Sequence, residues 1–70
     1  MKAWERDMRE SRRICDELEQ MEKTGRLAEA LELARGEFMS VTKRTGSDRL
    51  VETAQGIIDH LKKRIAETLN

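Results

Sequence analysis

The sequence predicts an all-α fold: a small antiparallel three-helix bundle, up-down-up, with residues 1–70 forming one domain. Three observations predict it. Apolar residues recur at alternating spacings of four and three in three successive segments, the period of an amphipathic helix. Glycines stand at the breaks between segments, at Gly25 and Gly46, and no proline interrupts any segment. Gly36 and Gly56 each lie ten residues from Gly46, so folding the chain there brings them to one level.

The first segment carries its apolar face on positions 4, 8, 11, 15 and 18, that is Trp4, Met8, Ser11, Cys15 and Leu18, with Ile14 and Met21 beside them. Its helix is expected over about residues 2–23 and stops at Lys23-Thr24-Gly25, where Gly25 can take the left-handed conformation that closes a helix. The second segment runs Leu27, Leu31, Ala34, Phe38, Val41 and predicts a helix over about 26–44 that ends at Thr45-Gly46. Ser47 then suits an N-cap, and Asp48 sets negative charge near the positive helix end. The third segment, Leu50, Ala54, Ile57, Leu61 with Val51, Ile58 and Ile65, predicts a helix over about 48–69. Short connections make neighbouring helices antiparallel.

Matching residues by distance from each turn yields the expected core layers. Leu18, Leu31 and Leu61 should meet near one end. Ile14 and Cys15 should face Gly36 and Gly56 at a waist where backbones, or a partner, approach closely. Met8, Val41 and Val51 should meet near the other end, with Trp4 either a lid on the Thr45–Ser47 turn, the favoured role, or an anchor at an interface.

Charge placement bears on topology. The first helix is basic early (Arg6, Arg9, Arg12, Arg13) and acidic late (Asp16, Glu17, Glu19, Glu22), against its own macrodipole. Something nearby should offset this. In an up-down-up bundle Asp48 and Glu52 approach the arginines, and Lys62, Lys63 and Arg64 approach the acidic end. Antiparallel pairing of the first helix with a second copy satisfies the pattern equally well. A bundle opened into a dimer is therefore the alternative arrangement.

Composition narrows the function. Acidic and basic residues balance at fourteen each, which removes any global field for nucleic acid or membranes. No long apolar run or secretory signal occurs, and one cysteine permits no internal disulfide, so the expected address is the cytoplasm. Cys15 and His60 are the only soft nucleophile and the only imidazole. Cys15 reads as a small core residue, and no third group is evident to orient His60. Metal-ligand spacing and a glycine-rich phosphate loop are both missing. The expectation is a protein that is no enzyme and needs no cofactor or metal.

Two binding functions remain. Arg6, Arg9, Arg12 and Arg13, or Lys43, Arg44 and Arg49, could contact phosphates, making the chain a small helical DNA-binding transcriptional regulator. Interleaved carboxylates weigh against that reading. The favoured expectation is a protein–protein interaction module, an adaptor, inhibitor or co-chaperone that is itself dimeric. All three apolar arcs are wide for helices with two neighbours, which leaves apolar surface for a partner. Leu33 lies off the second stripe and Met39 flanks it on the other side. With Arg9, Arg12 and Arg13 they form the expected contact set. The run Gly25-Arg-Leu-Ala-Glu-Ala-Leu-Glu-Leu-Ala-Arg resembles the start of the second helix of a tetratricopeptide repeat, with Gly25, Ala30 and Leu31 matching. That resemblance implies a helical hairpin. In size and shape the chain is also similar to small secretion-system co-chaperones, phage inhibitors and anti-activators.

Overall fold

The computed structural model describes residues 2–69, and within them the chain forms three helices with no strand. Helix α1 spans Ala3–Lys23 and helix α3 spans Asp48–Leu69. Helix α2 covers residues 27–44 as two α-helical pieces, Leu27–Leu33 and Met39–Arg44, joined by a π-helical turn at Ala34–Phe38. These bounds fall within a residue of those expected from the sequence.

The two corners form where the glycines placed them. Gly25 has φ +78° and Gly46 has φ +74°, a region closed to most side chains. At the first corner the Arg26 N–H donates to Met21 O at 2.8 Å and the Gly25 N–H to Glu22 O at 3.1 Å. That pair of bonds is the Schellman closure of a helix. The second corner is a variant. Gly46 N–H reaches Lys43 O at 3.1 Å, but Ser47 N–H donates to the Thr45 hydroxyl at 3.2 Å, and that hydroxyl donates on to Thr42 O at 2.6 Å. Ser47 then caps α3, its Oγ accepting from the Leu50 N–H at 3.3 Å.

The core runs along α2. Ile14 and Leu18 from α1, Leu27, Ala30, Ala34, Phe38 and Val41 from α2, and Ala54, Ile58 and Leu61 from α3 are all buried. Helix α2 lies between the other two. No Cα of α1 comes within 8 Å of a Cα of α3, so the outer helices touch α2 and not each other along their backbones. The body is correspondingly flattened, 46 × 20 × 14 Å.

Five expectations are corrected by this arrangement. Trp4 is no lid, at 52% exposed, and Met8 is no core filler, at 40% exposed, because α1 turns these positions toward the gap beside α3. Cys15 is half-buried for the same reason. The glycine waist does not exist: Gly36 and Gly56 are exposed, and a Cβ built on either meets nothing within 4 Å. Leu31 is half-buried and Ala30 takes its place in the core, since the small alanine lets α2 sit closer to its neighbours.

A π turn interrupts α2 while its buried positions keep the ordinary helical spacing of three and four. Met39 N–H bonds back to Ala34 O, five residues earlier, which fits one more residue into the turn than an α-helix allows. Leu27 and Ala30 are buried before it, Ala34 and Phe38 at its two ends, and Val41 and Thr42 after it. Thr42 is fully buried and satisfied, its hydroxyl donating to Met39 O at 2.9 Å.

Candidate functional site

The gap between α1 and α3 is an open groove floored by core residues. Its lower part, about 340 Å³, has Cys15, Leu18, Glu19 and Glu22 on the α1 wall and Thr53, Gly56, Ile57, His60 and Leu61 on the α3 wall. Its upper part, about 220 Å³, continues past Cys15 and Thr53 to Met8, Ser11, Arg12 and Asp16, with Phe38 of α2 beneath and Leu50 opposite. The walls are mostly apolar and the rim is charged.

The lower end is strapped. Glu22 Oε2 accepts from Arg64 Nη1 at 2.7 Å and lies 3.0 Å from His60 Nε2, joining α1 to α3. These contacts, His60 first and then Arg64, hold the Glu22 carboxyl below its ordinary range. The expected approach of Arg64 to the acidic end of the first helix is thus present. Its counterpart at the basic end is not: among the described residues Asp48 and Glu52 form no ion pair, and the tie there runs from Asp7 to Arg44 of α2 at 3.6 Å. The upper end of the groove is left open beside Met8, with Trp4 one turn beyond it on the same ladder of α1.

Cys15 and His60 share the groove, and Glu22 supplies the orienting carboxylate that sequence reasoning did not find for His60. The three do not form a nucleophile–base relay. Cys15 Sγ has no hydrogen-bond partner among the described residues. Burial, then the carboxylates of Glu19 and Asp16, push its thiol above the ordinary range, so it stays protonated and weakly nucleophilic. No group of three or more His, Cys, Asp or Glu among the described residues is placed to hold a metal ion.

The predicted contact residues separate onto different faces. Arg12 lines the groove and Arg9 lies one turn above it, exposed. Arg13 is on the opposite flank, clasped by Glu10 and by Glu17, whose Oε1 is 2.6 Å away, with Glu37 at 4.0 Å. Leu33 and Met39 are half-buried and pack against the core. Met39 lines a shallow cleft of about 290 Å³ between α2 and α3, with Arg35, Lys43 and Lys62 around it. Of the wall residues, Gly56 was expected as a point of close approach by backbone or partner and Ile57 as a core stripe position, whereas Thr53 was not singled out.

No known protein family, no curated protein and no solved structure matches this chain. No helix among the described residues is long and apolar enough to cross a membrane.

Proposed function

We propose that this chain is a small cytoplasmic interaction module without enzymatic activity, which takes a helix of a partner protein into the groove between α1 and α3. It would serve as an adaptor, inhibitor or co-chaperone. The observation that carries the reading is the groove itself: two parallel helices stand apart over an apolar floor, and a third helix is the natural filler of that shape. Trp4 and Met8 at its open end are the kind of large, adaptable apolar groups that anchor a partner. Arg9 and Arg12 at its rim supply polar contacts.

A photo-crosslinking side chain at Gly56, where the space is open, tests this in cells. Adducts with a defined protein are expected, and an Ile57→Arg change that plugs the groove should abolish them. Absence of any adduct, or adducts indifferent to Ile57→Arg, refutes the reading. A Leu33→Glu, Met39→Glu double variant forms the parallel arm: if it alone removes the adducts, the contact lies on α2 instead.

A second reading has one observation behind it. Arg35, Lys43 and Lys62 converge on the α2–α3 cleft with no carboxylate in its lining, a surface suited to phosphates and so to a DNA-binding regulator. Salt-sensitive retardation of duplex DNA, lost in Lys43→Glu, is what that reading expects. No retardation at low salt ends it.

A further inference from the structure

The stripe of α1 one residue on from its apolar ladder runs Glu5, Arg9, Arg12, Asp16, Glu19, Lys23, spaced four, three, four, three and four. That spacing holds all six on one flank of the helix. Arg12, Asp16 and Glu19 line the groove, so this flank is its rim. Along it the signs read minus, plus, plus, minus, minus, plus. Turning the row end for end about Ile14 sets every residue against its opposite: Glu5 meets Lys23, Arg9 meets Glu19, and Arg12 meets Asp16. A parallel copy in register would set like against like at every position.

Residues four apart on a helix can also pair within it, as Glu5–Arg9, Arg12–Asp16 and Glu19–Lys23. They do not: among the described residues none of the six forms an ion pair. Asp7, Glu10, Arg13, Glu17 and Glu22 of the same helix are all engaged. The unused charges are therefore confined almost wholly to the groove rim.

We infer that the occupant of the groove is a second copy of this chain, with the two α1 helices antiparallel about a two-fold axis level with Ile14. The inference rests on the groove reading above and names its partner. A two-fold interface repeats each contact, so the three charge pairs occur twice. Met8 comes level with Gln20 of the second copy and Trp4 with its Thr24, so both exposed apolar side chains are laid against the far half of the other α1. The two Cys15 residues lie two positions apart along the axes, about 3 Å of rise, on helices about 8–10 Å apart. That is within reach of a short thiol-to-thiol linker.

Charge reversal tests the pairing directly. The wild-type chain should sediment as a dimer at micromolar concentration, and a short bis-maleimide should join Cys15 to Cys15. Arg9→Glu with Arg12→Glu leaves the rim mostly acidic, and Asp16→Lys with Glu19→Lys leaves it mostly basic. Each double variant alone should be monomeric with wild-type helical circular dichroism, and mixing the two should restore a dimer and the Cys15 crosslink. Trp4 offers a readout without substitution, its emission moving to shorter wavelength as the wild-type concentration rises. A wild-type chain that is monomeric at near-millimolar concentration overturns the inference, as does a dimer that survives both reversals. If Gly56 adducts with a different protein persist in that case, the groove reading stands; if no adduct forms, both fall.

Discussion

The two flanks of α1 carry similar numbers of charges and meet different fates. On the α2 side Asp7 reaches Arg44, and Arg13 is held by Glu10 and Glu17 within the helix and approached by Glu37 across it. On the groove side Glu5, Arg9, Arg12, Asp16, Glu19 and Lys23 stay unpaired among the described residues. The difference is one of neighbours. The α2 flank faces another helix that supplies partners, whereas the groove flank faces the space left because α3 stands beyond 8 Å. Charges on the first flank support the fold; charges on the second are available to whatever enters the groove.

The largest disturbance of both flanks comes from the core against which α1 packs. Leu61 is 1% exposed, and Leu61→Ala should lower stability by about 2–5 kcal/mol in urea melts. In a domain of this size that loss is a large part of the total. Next come the corners that set the helices side by side. Gly46→Ala, at φ +74°, should destabilise by roughly 1–2 kcal/mol. Gly56→Ala, helical and with open space for its methyl, should do the reverse by about 0.5–1 kcal/mol. A shared sign for these two glycines in thermal melts would contradict the assigned conformations.

Acid sharpens the comparison further. The carboxyl of Glu22 is lowered by His60 and Arg64, and that of Glu10 by Arg13, so both are more acidic folded than unfolded. Their contribution is complete above the ordinary value of 4.5 and fades as pH falls toward the lowered values. Glu22→Gln should flatten the acid limb of a stability–pH curve while leaving the share of Glu10; an unchanged limb would show the strap to be idle. The smallest effect is expected on the groove flank. Arg12→Ala should leave the stability of the isolated subunit within about 0.5 kcal/mol of wild type, whereas Arg13→Ala should lose stability at low salt and less at high salt.

Much of the architecture could be read before any coordinates. Gly25, Gly46 and Ser47 act through local backbone chemistry, and local chemistry is what a sequence states directly. The apolar ladders located all three helices and their order. Reading failed where a distance between elements mattered. Trp4 and Met8 sit on the same ladder as Leu18, yet α3 does not come close enough to cover them. Ala30 displaced Leu31 because backbone proximity favoured the smaller side chain, and apolar spacing carries no record of proximity. A five-residue turn within α2 leaves no mark in a pattern scored at a fixed period. The charge row on α1 was visible as letters, but which flank α2 would cover had to be known before the row acquired a meaning.

The wide turn at Ala34–Phe38 makes the length of α2 a discrete quantity. Removing Gly36 would let the hydrogen bonds shorten to ordinary α geometry while the pieces on either side keep their places, because the turn already holds one residue more than an α turn needs. Phe38, Val41 and Thr42 would stay in the interior. A one-residue deletion is thus expected to be better tolerated at Gly36 than within Leu27–Leu33 or Met39–Arg44, where every residue beyond would swing about 100° around the axis. The extra residue works as slack in the rod, a place where the chain can lose a link and still reach the same corner.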